Sequence, residues 1–233
     1  VAIAIDSTTP AIVTGESPRS TASFTAPEDS LLVALCASAS GGVTHTVTNS
    51  GTGLTWVSRV KRDIFDSGGN VNAVEIFTAV AATSVARTVT LTSSNGGDNV
   101  ALKVLVITGV ELTGPTGAVG EGSSSTANLT ANAYTSTSVG SRAVGIAADE
   151  SSTTSAPTSS DTGFPWAISG SSSGIAVHKA ANTATAGASV TLNFNGSGSR
   201  LWNWAAVEII GKPDLPRLQI HRPTAAAHRA ASW

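Results

Sequence analysis

Residues 31–40, LLVALCASAS, carry no charge, no Gly and no Pro, and Gly41-Gly42 follows at once. A short apolar run closed by a glycine turn reads as a strand. About 110 positions later RAVGIAADES (142–151) has the same build, and the likeness spreads outward from these two segments. SGTGLTW (50–56) is answered by SDTGFPW (160–166). VEIFTAVAATSVARTVTLTSS is answered by GIAVHKAANTATAGASVTLNF, and NGGDNVALKVLVITG by NGSGSRLWNWAAVEIIG. Four matched elements in one order point to an internal repeat, roughly 24–115 and 140–211. One repeat cannot readily bury its apolar face alone, whereas two can pack together. In this reading each turn delivers a tryptophan, Trp56 and Trp166, to a corresponding place at the core.

The intervening segments agree. VNAVEIFTAVA (71–81) and TVTLTSS (88–94) alternate with period two, and NVALKVLVITGV (99–110) is apolar almost throughout, as a strand covered on both sides would be. Turns fall at roughly the 8–12 residue spacing of sandwiches and barrels. Charged residues are only 12%, about half of the usual ~25%. Their place is taken by 32 Ser, 30 Thr and 23 Gly, which suit strands and turns better than exposed helices. The expectation is an all-β fold, an antiparallel two-sheet sandwich of jelly-roll type built from two sequence-related halves. It occupies residues 1–211 as one domain, because TGPTGAVGEGSSSTA (113–127) reads as a Gly/Ser connection and not as a boundary.

A net charge of −2 gives no reason to expect nucleic acid or an anionic membrane as a partner. No run reaches the ~18 apolar residues of a membrane span, and no leader segment is visible. Cys36, the single cysteine, lies in the first apolar run and reads as a small buried hydrophobe.

Chemistry is sparse. GSSSG (170–174) formally fits a nucleophile elbow around Ser172, but such an elbow needs a strand before it and a helix after it, and a strand follows here. His45, His178, His221 and His228 have no zinc-ligand spacing. Asp149 and Glu150 are neighbours on a strand and so point to opposite faces. Asp63, Asp66 and Asn70 in DIFDSGGNVN are weighed as a cation loop against a plain Gly-Gly hairpin, which is favoured. Asn128 and Asn195 fit the glycosylation pattern, which is common in a Ser/Thr-rich chain. No cofactor and no enzymatic activity is expected.

The succession LLVALCAS, GLTW, VEIFTAVA, TVTLTSS, VLVITGVE, TSVGSRAVGIAAD and WNWAAVEII, spanning about residues 24–210, resembles a β-sandwich module of actinobacteriophage minor tail and virion structural proteins. Similar modules occur in secreted bacterial multidomain proteins. The resemblance implies a structural or adhesive role on a virion surface, or otherwise outside the cell; the partners expected are copies of the chain and other virion proteins, with a host surface glycan as a further candidate. It supplies no catalytic residues.

The last 22 residues, KPDLPRLQIHRPTAAAHRAASW, differ from the body. They hold three Pro and four of the 13 Lys and Arg, leaving the body with 9 basic against 14 acidic residues, a net of −5. This segment (212–233) reads as an extended arm that contacts a neighbour through Arg217, Leu218, Ile220, Arg222, Arg229 and Trp233. The rival function is a carbohydrate-binding or adhesion module. Trp202 and Trp204 share one strand face and are its candidate stacking platform, unless they fill the core.

Overall fold

The computed structural model describes residues 2–65, 71–149, 155–196 and 201–213. It is all-β, with antiparallel pairing throughout these residues. The first half contributes β1 (Ala4–Ile5), β2 (Val13–Glu16), β3 (Arg19–Ser20), β4 (Phe24–Thr25), β5 (Ser30–Ser38), β6 (His45–Asn49), β7 (Val57–Phe65), β8 (Val71–Ala81), β9 (Ala86–Arg87), β10 (Val89–Ser93) and β11 (Asn99–Thr108). The second contributes β12 (Thr116–Ser124), β13 (Asn128–Thr135), β14 (Arg142–Asp149), β15 (Thr162–Ile168), β16 (Ser172–His178), β17 (Ser189–Asn195) and β18 (Trp202–Ile209).

Two large sheets dominate. One runs β1-β11-β5-β8-β7 with β2 also on β11, and the other runs β12-β18-β14-β16-β15. Their pairings fall at matching places. Leu105 faces Val33 and Leu35 faces Ile76 in the first sheet; Val207 faces Val144 and Ile146 faces Ala176 in the second. Each large sheet is backed by a small one, β3-β10-β6 and β13-β17 respectively.

Side-chain alternation explains why the central strands are apolar on every residue. Successive residues of a strand point to opposite faces. In β5, Leu31, Val33, Leu35 and Ala37 enter one core with Val144, Ile146 and Ala148 of β14 and with Ala205, Val207 and Ile209 of β18. Leu32, Ala34 and Cys36 enter a second core, with Val47, Val89 and Leu91 of the small sheet. The third core lies between the other two sheets, where Ala143 and Ala147 meet Leu192 and Phe194. The expected two-sheet sandwich is thus the central pair of a deeper stack: small sheet, large sheet, large sheet, small sheet, with apolar side chains in all three gaps. The runs 31–39 and 142–149 do share one core.

Three readings are corrected. Residues 116–124 are not a plain connection but β12, the edge of the second large sheet. Its glycines are required by close approach: a Cβ on Gly120 would sit 1.6 Å from the carbonyl oxygen of Ala133, and one on Gly122 would meet the Trp204 ring at 2.9 Å. Glycine in a strand often marks such a crossing. Second, Trp56 and Trp166 do not occupy corresponding places. Trp166 lies inside β15, is 5% exposed, and fills the layer between the large sheets, in the space left by the missing side chain of Gly174. Trp56 precedes β7, is half-buried, and packs on the other core. Third, SDTGFPW is no turn ahead of a strand, because Thr162–Trp166 belong to β15 itself.

The halves are also clasped by polar groups. Arg62 of β7 pairs with Glu121 of β12 at 2.8 Å, and Asn203 Nδ2 of β18 donates to the carbonyl of Asn72 in β8 at 2.9 Å. The ion pair is part-exposed, so the apolar layer carries the association. Trp166→Ala is expected to destabilise the fold by about 3–5 kcal/mol, the range for a buried aromatic. Trp56→Ala is expected to cost clearly less, since its ring already meets solvent. Chemical denaturation of the two variants checks the order; equal losses would contradict the placement.

Candidate functional site

The turn after β6 owes its shape to one amide. Asn49 Nδ2 donates to the carbonyls of Ser50 and Thr52, both at 2.9 Å, while its Oδ1 accepts from Leu54 N at 3.2 Å and from the Trp56 indole at 3.3 Å. Gly51, at φ 76°, supplies the left-handed step. The turn so held forms one wall of a cleft of about 540 Å³, whose apolar part includes Leu31, Leu54, Val80 and Leu112. The opposite wall comes from residues 112, 113 and 115, between the halves.

Among the described residues, Arg59 is the one charged side chain lining this cleft. Its position has a structural cause. Ser58 faces Phe77 and Val60 faces Ile76, so Arg59 is the extra residue of a β-bulge in β7. Bulges re-aim side chains and recur beside binding sites. Arg59 Nε donates to Thr78 Oγ1 at 2.7 Å, and Thr78 is itself 1% exposed. No carboxylate pairs with Arg59 among the described residues.

Groups with catalytic chemistry lie elsewhere. His45 Nε2 is 3.0 Å from Ser38 Oγ, and its Nδ1 is 3.3 Å from Glu75 Oε2, which also accepts from Ser58 through Oε1 at 2.6 Å. The order of groups is that of a Ser–His–acid relay. Nδ1 and the carboxylate are close, but not aligned for a hydrogen bond. Ser38 is only 2% exposed and also bonds the carbonyl of Ser40, so the network ties β5, β6, β7 and β8 together at one end of the core. Beside it, burial and the Glu75 carboxylate push the Cys36 thiol well up, which makes it unreactive. This network comes from four separate strands, and nothing in the spacing of its residues announces it.

Two further charges are buried. Lys103, on the inter-sheet face of β11, donates to the carbonyl of Pro10 at 2.5 Å and lies 4.0 Å from the centre of the Phe164 ring. Burial lowers its pKa to about 8. Glu208 of β18 is fully buried. Burial alone would raise its pKa, but donors from Thr137, Ser141 and Ala118 outweigh it and hold the value at about 2. The Thr137 hydroxyl is 2.6 Å away and Ala118 N is 3.0 Å away, so one carboxylate fastens β12 and the β13–β14 turn to β18.

The sequence candidates fall as follows. Trp202 and Trp204 do share a face, but it is the core face: they are 1% and 8% exposed, with Phe194 beside Trp202. The stacking platform is therefore taken up by packing. Ser172 opens β16, is buried, and is followed by strand, not by the helix of an elbow. Asp149 is buried in β14 and accepts from Leu201 N at 3.0 Å. Asp63 is bound to Gly42 N and Lys61. Asn128 is exposed and faces Asn195 across β13-β17. Asp66, Asn70 and Glu150 lie outside the described residues, as do His221, His228, Arg217, Leu218, Ile220, Arg222, Arg229 and Trp233. Among the described residues no three His, Cys, Asp or Glu side chains are grouped to hold a metal ion.

No family model, curated protein or solved structure matches this chain.

Because the folded-state pKa of Glu208 lies below the ~4.3 of a free glutamate, its stabilising effect is full above that value. It is lost as pH falls from there through about 2. Wild type is therefore expected to lose more stability between pH 5 and pH 2 than Glu208→Gln does. Thermal melts across that range check this, and parallel curves would contradict it.

Proposed function

We propose that the chain is a non-enzymatic structural protein of a phage particle surface, a capsid decoration or minor tail protein, which assembles through its sheet faces and its C-terminal arm. The observation that carries this reading is the layered build itself. Three apolar gaps, tied across by polar clasps such as Glu208 to Thr137 and Asn203 to Asn72, make a stiff block, and the outer faces offer neighbours uncharged side chains. Thr46, Thr48 and Thr92 point outward from one small sheet, and Asn128 and Thr130 from the other. Edge-to-edge pairing is disfavoured, because Pro165 interrupts the donors of edge strand β15 and Lys61 and Arg62 stand on edge strand β7. Assembly then falls to faces and to the arm. The resemblance to virion modules points the same way.

In fold terms the reading is a duplicated jelly roll. With β2, β3, β5, β6, β7, β8, β10 and β11 lettered A to H, the first half orders A-H-C-F in one sheet and B-G-D in the other, as an eight-stranded jelly roll does, save that E joins F. The second half repeats A-H-C-F through β12-β18-β14-β16 and B-G through β13-β17. Matching register supports common descent of the two.

A second reading, an adhesion module that binds glycan, is favoured by the preformed cleft beside β7. For the particle role, removing residues 212–233 is expected to leave the body folded while lowering self-association or particle occupancy. Light scattering and occupancy measurements at equal concentration check it. Unchanged assembly of the shortened chain would overturn the arm's part.

A further inference from the structure

We infer that the cleft between the Asn49-held turn and residues 112–115 binds a carboxylated sugar, with Arg59 as the anchor for its carboxylate. The inference rests on the glycan-binding reading of this cleft and narrows it to an acidic sugar, whereas the particle role is tested separately. Arg59 Nε is occupied by Thr78 at 2.7 Å, which orients the guanidinium and leaves its two terminal nitrogens without a partner. Those two nitrogens are the edge that takes a carboxylate in a bidentate pair. Among the described residues no carboxylate fills that role, although the body carries 14 acidic residues in all. A cation left unpaired on an acidic body, raised into a cleft by a bulge, is available to an external anion.

The other lining groups narrow the ligand. Thr52 and Thr55 line the cleft with hydroxyls that make no hydrogen bond among the described residues, and both are exposed. They suit ring hydroxyls, as donor or acceptor. Leu54, Val80 and Leu112 supply an apolar patch for the C–H face of a ring. The volume of about 540 Å³ is within the ~300–1,000 Å³ of small-molecule sites. A phosphate dianion would call for several cations or a nest of backbone N–H groups. One guanidinium among threonines fits a monoanion better.

The walls are also set before any ligand arrives. Asn49 fixes residues 50–56 by four hydrogen bonds. Arg87, 1% exposed, holds the carbonyls of Thr83 and Val85 at 3.0 and 3.3 Å on the adjoining wall. A preformed site spends little binding energy on ordering itself.

The test titrates the full chain with D-glucuronate and N-acetylneuraminate, using D-glucose and inorganic phosphate as comparators, by calorimetry. At least one acidic sugar is expected to bind saturably, and both comparators about tenfold more weakly or worse. Arg59→Gln should lose about tenfold in affinity with unchanged melting, and Arg59→Lys should recover little, since lysine lacks the planar fork. Thr83→Asp, which places a competing carboxylate among the lining residues, should weaken binding too and serves if Arg59→Gln does not fold. The proposal is overturned if neither acidic sugar saturates up to about 20 mM. Equal binding by wild type and the variants, or by phosphate, also overturns it.

Discussion

Burying both faces of the two central sheets is the constraint from which most of the structure follows. A strand covered on one face can keep polar residues on the other, but β5, β11, β14 and β18 have no such outlet. Their residues supply two cores at once, which is why Leu31–Ala37 alternates between the inter-sheet layer and the layer behind it. Side-chain volume must then be divided between layers. The Trp166 ring occupies the space over Gly174, where a Cβ would lie 2.3 Å from it, and Leu192 reaches within 2.4 Å of where a Cβ on Gly145 would be. Glycine in these strands is a packing requirement, set by the neighbour across the gap.

The same constraint governs the buried charges. Glu208 and Lys103 sit on strands that offer no solvent face, and each is satisfied in its own way. Glu208 is met by hydroxyl and backbone donors, so its charge is retained. Lys103 has a carbonyl and an aromatic face, and its proton is held less firmly. Asp161 resolves a third case by pairing with Lys179 at 2.8 Å while accepting from Asn193 N at 2.9 Å. Partners of this kind lock strands together, and a locked group is unavailable to a ligand. Arg59 differs from all of them in that its terminal nitrogens stay uncommitted.

Much of the fold was legible because periodicity survives in the sequence wherever one or both faces are buried. The all-β class, the central strands and the shared core of 31–39 and 142–149 came from such patterns. The reading of 113–127 as a Gly/Ser connection is wrong for a physical reason. β12 consists largely of Gly, Ser and Ala because β13 and Trp204 crowd its backbone, and composition alone cannot separate a crowded strand from a loop. The cleft was less legible still. SGTGLTW reads as an echo of SDTGFPW, but the cleft it walls also needs Asn49 just before it and Arg59 just after it. A bulge cannot be read from residue types when both flanking residues, Ser58 and Val60, fit an unbroken strand.

The difference between the two echoing stretches locates where the halves part company. In the second half the chain at 162–168 stays in the sheet, so Trp166 is drawn into the central layer and Pro165 stands at the edge. In the first half the corresponding edge strand starts later, at Val57, and residues 50–56 stand clear of the sheet as a turn. Strand β6 makes this possible. It pairs along its whole length with β10, from His45 to Asn49, and ends with the amide that organises the turn. In the second half only Thr158 bridges to Asn195 at the equivalent place among the described residues. The tryptophan inside its edge strand packs at the centre, and the one that precedes its edge strand sits beside a turn that walls a cleft.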